Sequence, residues 1–221
     1  MRIIAVFCLL ACLFSCDEGT LVDALLVYQN DMEVDSLNTA LIGARTHTFD
    51  DSQVLGPYHN SGFTVFIEDL PKHDVILVTF DLYVHDSWDG NLEGVGGPDY
   101  FEVMIDELEP RLPSPFVFRT TFSNANCDEV RCLYQSFPLG YPHRALPRTG
   151  RVINKLLPGR CSKANNQTNG SILFPVQIQF DHAAPLAILR FQDRLRQTNT
   201  ANPSCDESWS LDNLKVYALD Y

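Results

Sequence analysis

The chain predicts an all-β fold, an antiparallel β-sandwich of jelly-roll type, and three features of the sequence carry that prediction. Apolar residues recur with period two over most of the chain, the pattern of half-buried strands whose successive side chains face opposite ways. Runs of ten or more residues with a helical stripe are hard to find. The alternating segments are short and are separated by turns such as Leu70-Pro71-Lys72-His73 and Gly96-Gly97-Pro98-Asp99, a rhythm that suits a sandwich.

In chain order the best strands fall at 63–69, 74–85, 100–106, 116–123, 172–182, 186–193 and 211–219. The stretch 20–29 reads as a short helix or the first strand. Residues 124–163, rich in Pro, Gly, Arg and Cys, read as a long connection with one candidate strand at 152–156. No internal repeat or dividing linker is visible, so residues 17–221 are expected to form a single domain, a size that sandwiches commonly reach undivided.

The first sixteen residues have the pattern of a secretory signal. Arg2 is their only charge, and the apolar run 3–14 is far too short to span a bilayer. Their end, Leu13-Phe14-Ser15-Cys16, resembles a bacterial lipobox, which implies a mature protein lipidated at Cys16. Several acyl chains, each contributing about 0.8 kcal/mol per buried methylene, would hold such a protein on a membrane through the anchor alone. Asp17 and Glu18 resemble lipoprotein sorting signals. The alternative is an ordinary signal peptide cleaved near Cys16, giving a secreted soluble protein.

Once Cys8 and Cys12 leave with the signal and Cys16 takes lipid, Cys127, Cys132, Cys161 and Cys205 remain, an even number suited to an oxidising compartment. Of the three connectivities, Cys127–Cys132 with Cys161–Cys205 is favoured, because the second pair would tie a long loop to the segment around Trp209. A zinc site is the rival, but the Cys-x4-Cys pair has no matching second pair and no His lies at finger-like spacing. Asn166-Gln167-Thr168 and Asn169-Gly170-Ser171 match the glycosylation pattern, yet are plain polar loop residues in a bacterial protein.

The net charge of −12 disfavours nucleic-acid binding and suits an exported protein whose carboxylates gather cations. Two acidic segments hold both tryptophans: His85-Asp86-Ser87-Trp88-Asp89-Gly90-Asn91 and Cys205-Asp206-Glu207-Ser208-Trp209-Ser210-Leu211-Asp212-Asn213. Trp favours burial, whereas carboxylates favour water or a cation, so a hard, oxygen-ligated ion such as calcium would resolve the conflict. Strand phase adds to this. Asp86 continues the face of Ile76, Val78, Phe80, Leu82 and Val84, and Asp212 shares phase with Leu214, Val216 and Ala218, so both carboxylates are expected to point inward. The competing reading makes Asp86 and Asp212 turn caps that accept backbone N–H bonds, and Asp89-Gly90 a plain hairpin turn. Trp88 and Trp209 are core plugs or, alternatively, stacking platforms for a sugar.

A family resemblance extends these readings. Asn30-Asp31-Met32-Glu33, Thr79-Phe80-Asp81-Leu82-Tyr83, Asp86-Ser87-Trp88-Asp89-Gly90-Asn91, Gly97-Pro98-Asp99, Thr120-Thr121-Phe122-Ser123-Asn124, Gln135-Ser136-Phe137-Pro138 and Asp206-Glu207-Ser208-Trp209-x-Leu211-Asp212-Asn213 occur in the order of a family of secreted bacterial jelly-roll modules. That family resembles carbohydrate-binding modules and MAM domains. The resemblance implies a structural calcium between Asp31, Glu33 and Asp212, clamping the two ends of the chain. It leaves Asp86, Asp89, Asn91 and Asp99 to a second ion site or to a turn packed beside Glu207 and Trp209. Ser210 departs from the usual Gly, and the four cysteines are local additions.

Enzyme motifs are missing: there is no Gly-x-Ser-x-Gly elbow, His-Glu-x-x-His helix, phosphate loop or dinucleotide fingerprint. The six histidines are scattered at turns and strand ends, and only His85, beside the first acidic segment, is a candidate ligand or base. The expectation is therefore a lipid-anchored, calcium-stabilised, non-catalytic binding or adhesion module of the bacterial envelope, with a glycan or an envelope protein as partner. A purely structural or protein-interaction domain is the main alternative. The third is a polysaccharide hydrolase using Asp86 with Asp99 or Glu207.

Overall fold

A computed structural model describes residues 20–33, 37–94, 96–106, 116–125, 127–128, 132–150, 157–161, 170–196 and 201–221. Its strands are β1 (Asp23–Asn30), β2 (Leu41–Ile42), β3 (Thr46–Phe49), β4 (Ser52–Tyr58), β5 (Gly62–Ile67), β6 (Val75–Asp86), β7 (Tyr100–Asp106), β8 (Phe116–Thr121), β9 (Ile172–Asp181), β10 (Ala187–Arg194) and β11 (Glu207–Asp220). They make two antiparallel sheets. The first runs β3-β4-β11-β6-β9, and the second runs β2-β5-β10-β7-β8. In the first sheet β4 pairs with the opening of β11 and β1 with its remainder, so the two share one side of a long strand. The architecture is the sandwich that the alternation predicts.

β6 shows why the sheets pack. Ile76, Val78, Phe80, Leu82 and Val84 line one face and are almost wholly buried against Phe63, Val65, Phe101, Val103, Leu189 and Phe191 of the other sheet. Burying each such side chain contributes about 1.5–3 kcal/mol, so the facing rows hold the sheets together. Pro175, which cannot donate to a ladder, sits on the edge strand β9.

Of the two readings of residues 20–29, the first strand is the one formed, as β1 paired with β11. Two departures from the sequence-based expectation have physical causes. β2, β3 and β4 are unforeseen in the sequence: β2 and β3 are brief, and Gly56-Pro57 interrupts β4. β3 and β4 join through Asp50 and Asp51, both at positive φ (51° and 66°), a two-residue hairpin loop without its usual Gly. β11 begins at Glu207, four residues earlier than expected, and is bulged at Asn213 (φ 53°), where Asp212 pairs with Asp81 but Lys215 pairs with Thr79. The bulge reverses phase. Trp209 and Leu211 face inward before it and Leu214, Val216 and Ala218 after it, while Asp212 lies on the outer face beside Asp81. The inward orientation expected for Asp212 is thereby corrected. The candidate strand at 152–156, the lipobox Cys16 and the two glycosylation-like Asn residues, 166 and 169, lie outside the described residues.

Candidate functional site

The two tryptophan segments meet. Glu207 pairs with Asp86, Ser208 with His85 and Trp209 with Val84 at the junction of β6 and β11. Both indoles are fully buried. Trp88 donates through Nε1 to the Ser208 carbonyl at 2.9 Å, and Trp209 donates through Nε1 to Asp193 Oδ2 at 2.6 Å. Trp209 packs on Tyr58 and Phe101 with ring centroids 4.6 and 5.1 Å away. Of the two roles the sequence allowed, this geometry is that of core plugs, and neither ring offers a stacking face to a sugar.

The carboxylates around them are braces. Asp86, 2% exposed at a positive φ of 62°, accepts the Arg160 N–H at 3.3 Å on both oxygens. Asp99, fully buried, accepts N–H bonds from Asp89 (2.6 Å) and Arg196 (3.4 Å) and shares a hydrogen bond with Glu207, itself fully buried. Asp193 takes the Trp209 indole and the N–H groups of Asn60 and Ser61. Asn91 accepts from the Thr121 and Ser136 hydroxyls and donates to the His143 carbonyl. Gly90 permits this crossing, because its φ is +65° and a Cβ there would collide with the Tyr134 carbonyl. Asp86, Asp99 and Asn91 each accept hydrogen bonds from protein donors, the arrangement expected of a turn packed beside Glu207 and Trp209. His85, also fully buried, lies between the Ser171 and Ser210 hydroxyls at 2.7 Å each, and burial pushes its pKa well down, which makes it a neutral structural bridge.

Burial pushes Asp86 and Asp99 up to about 7 and Asp193 to about 6. A carboxyl raised in the folded state adds stability at low pH that is lost as pH rises through the folded value. Burial lowers His85 and His47, which add stability at high pH that fades below about 6.5. Between pH 6 and 8 the carboxyls dominate, with a net expected loss of about 2 kcal/mol, or roughly 4–8 °C in melting temperature. Melting curves across that range check this, and Asp86→Asn, which keeps an acceptor for Arg160 N–H, should flatten the slope. A curve rising toward pH 8 would overturn the assignment.

The calcium residues inferred from resemblance are partly assembled. Ser52 Oγ lies 2.7 Å from Glu33 Oε1 and 3.1 Å from Asp212 Oδ2, so one hydroxyl links the two ends of the chain. Glu33 Oε1 also accepts Gln53 N–H at 3.2 Å. Burial raises the Asp212 pKa, and the negative charges of Asp81 and Glu33 raise it further. Asp31, exposed, accepts the Glu33 N–H at 3.3 Å, and its side chain does not join the pair. Among the described residues no three His, Cys, Asp or Glu side chains surround a common point. Two hard carboxylates with mutual repulsion suit calcium chemically, provided that backbone carbonyls or waters supply the remaining oxygens.

The outer face of the second sheet has features the sequence reading missed. A groove of about 450 Å³ is lined by Asn60, Ser61, Thr64, Arg190, Gln192 and Arg194, among others. Beside it the Glu102 side chain, on an outward position yet fully buried, receives Arg119 through Nε and Nη2 (2.8 and 2.7 Å), Gln192 Nε2 (2.7 Å) and Arg194 Nε (3.2 Å). Tyr100 packs edge-on against Tyr141 at 5.0 Å with the Arg119 guanidinium 5.1 Å over its ring. Burial, then the hydrogen bond to Tyr141, pushes Tyr100 up to about 12. The one signal available in the sequence is the alternation Arg190-x-Gln192-x-Arg194, which puts three polar side chains on one strand face.

The favoured disulfides, Cys127–Cys132 and Cys161–Cys205, are both formed. No family model matches the chain, and no curated protein matches it. Among solved structures, the CBM22-2 xylan-binding domain of Xyn10C from Paenibacillus barcinonensis is similar over 87% of this chain and 99% of its own, with 10% identity and a TM-score of 0.36. The K2 cleaved adhesin domain of Lys-gingipain is similar over 86% of this chain and 96% of its own, with 12% identity and the same TM-score. Likeness this distant assigns neither a ligand nor a family.

Proposed function

We propose that the protein is an exported, non-catalytic β-sandwich module that binds a glycan, is held at the bacterial envelope through lipid on Cys16 and is braced by a calcium ion between Glu33 and Asp212. The observation that carries the binding reading is the open groove on the second sheet, whose hydroxyl, amide and guanidinium groups are the kind that hold sugar hydroxyls. Export agrees with two disulfides, which persist in oxidising compartments. The hydrolase reading loses support because it needs accessible carboxylates across a cleft, while Asp86, Asp99 and Glu207 are 2, 0 and 0% exposed and serve as braces.

One observation favours a second reading. Burial of both tryptophans is what a scaffold or protein-interaction domain would show, since such a domain needs no aromatic platform. Electrophoresis of the purified protein through gels containing a panel of polysaccharides separates the two. The binding module should be retarded by at least one polysaccharide without releasing reducing sugar, and a scaffold by none. Replacing Cys16 with Ser should move the protein from the membrane fraction to the soluble one, and continued partitioning of that variant would remove the anchor from the proposal.

A further inference from the structure

We infer that the rim formed by β1 and Tyr221 lies against a zwitterionic lipid surface and orients the anchored protein on it. This rests on the anchor reading above and goes beyond it, since lipid on Cys16 fixes attachment but not the face presented to the bilayer. Clustering is the first reason. Nine large apolar side chains are exposed among the described residues, and five of them, Leu21, Val22, Leu25, Leu26 and Tyr221, gather at this rim. The Val22 N–H donates to the Asp220 carbonyl at 2.8 Å, which brings the start of the strand beside Tyr221. A cluster of this kind on an otherwise acidic chain marks a contact surface.

Position in the sandwich is the second reason. Leu25 pairs with Ala218, a core residue whose side chain faces inward, yet Leu25 is 50% exposed, so among the described residues the opposite sheet does not reach over it. Leu26 pairs with Tyr217 on the outer face and is 42% exposed. Among the described strands β1 pairs with β11 alone, so its other edge is open as well. The rim thus shows apolar groups on both faces, while its backbone edge needs hydrogen-bonding partners. That combination suits the headgroup boundary, where water and headgroup oxygens are within reach, and not the acyl core. Tyr221, apolar in its ring and polar at its hydroxyl, suits the same depth.

Reach and charge select the occupant. Cys16 and Leu21 are five positions apart, at most about 18 Å of extended chain, so an acyl group on Cys16 keeps the rim close to the bilayer. Residues 21–30 carry a single charge, Asp23. Around them this end of the sandwich is acidic. Asp220 and Asp74 border the rim, Glu68, Asp69, Asp106 and Asp181 stand further round, and Asp17 and Glu18 precede it in the sequence. Against them, among the described residues, are Lys72, paired with Asp220 at 2.9 Å, and the hydrogen-bonded rings of His73 and His182. Anionic lipid repels such an end, so the surface it fits is zwitterionic. A second copy fits less well. Two chains of −12 would bring these carboxylates together, and the register shift between Leu26 and Tyr28 blunts the edge for strand pairing.

The test is amide hydrogen exchange of the purified lipidated protein on phosphatidylcholine vesicles, compared with the Cys16→Ser variant in solution. The N–H groups of residues 21–27 should exchange about tenfold more slowly on the vesicles. Mixing phosphatidylglycerol into the vesicles should reduce that slowing at low salt. The double variant Val22→Ser, Leu26→Ser, altered only at exposed positions, should stay with the vesicles and keep its melting temperature within about 2 °C while losing the slowing. If the native protein sediments with vesicles but β1 exchanges as fast as in solution, the anchor reading stands and this inference falls. Equal slowing on phosphatidylglycerol would also overturn it. So would slowing in the Cys16→Ser variant that grows with protein concentration, since the occupant would then be a second copy. If the native protein does not stay with vesicles, the anchor reading fails and this inference with it.

Discussion

Replacing Trp209 with Ala should destabilise the protein by about 3–5 kcal/mol, the usual cost of deleting a fully buried aromatic. For a chain of this size that is a fall of roughly 6–20 °C in melting temperature. Trp209 is at the centre of an aromatic cluster with Tyr58, Phe63 and Phe101, and its indole donates to Asp193, a carboxyl that also secures the backbone of Asn60 and Ser61. The substitution removes packing and a buried hydrogen bond together. Trp209→Phe separates the two: it keeps most of the ring, loses the N–H and should cost about 1–3 kcal/mol, the penalty for a buried acceptor deprived of its donor. Loss of that donor should also raise the Asp193 pKa further and steepen the decline in stability above pH 6. Thermal melts of both variants at pH 6 and 8 measure these effects. If Trp209→Ala melts within a degree of the parent, the ring is not a core plug, and the sugar-stacking role would regain its place.

The strand pattern was legible wherever one face alone was buried over a long run. In β6 the alternation from Ile76 to Val84 identifies the strand and its inward face, and the ladders then place it between β11 and β9. β2 and β3 are hidden because each is brief, and β4, at seven residues, because Gly56-Pro57 interrupts its period. The face of Asp212 is hidden for a related reason. A bulge depends on the conformation of one residue, Asn213, and leaves no mark in hydrophobic spacing.

Site residues divide similarly. The two tryptophan segments stand out by composition, and they do meet, as a junction in which Asp86 and Asp99 accept backbone N–H bonds. Carboxylates beside Trp thus signal buried hydrogen bonding as readily as an ion. The groove escaped because its residues come from β2, β5 with the turn before it, and β10, and only sheet register brings Glu102 to Arg119 and Gln192 beside it. By contrast, the favoured disulfide pairing is legible in the placing of the four cysteines. Where the resemblance implies a calcium held by Asp31, Glu33 and Asp212, the Ser52 hydroxyl links Glu33 to Asp212.

That link sets up the second large effect. In 10 mM calcium the melting temperature should rise by about 5–10 °C over its value in chelator. This is the response to an ion at a hundred times its dissociation constant, about 2.7 kcal/mol, for a site near 0.1 mM as in extracellular modules. Asp212→Asn should abolish the rise, and its behaviour in chelator is equally informative. If Asp212 serves only as an acceptor for Asn213 N–H and the Ser52 hydroxyl, the variant should lose stability whether or not calcium is present. If instead Asp212 and Glu33 form a cation site, removing one negative charge relieves their repulsion, and the variant in chelator should match or exceed the parent. Glu33→Gln should behave in the same way, since it removes the other charge on Ser52, whereas Asp31→Asn, whose side chain stands apart from the pair, should keep most of the calcium response. Melting curves insensitive to calcium would remove the ion. An Asp31 variant that fails as completely as the Asp212 variant would show that the N-terminal end of the clamp closes further than Glu33 alone requires.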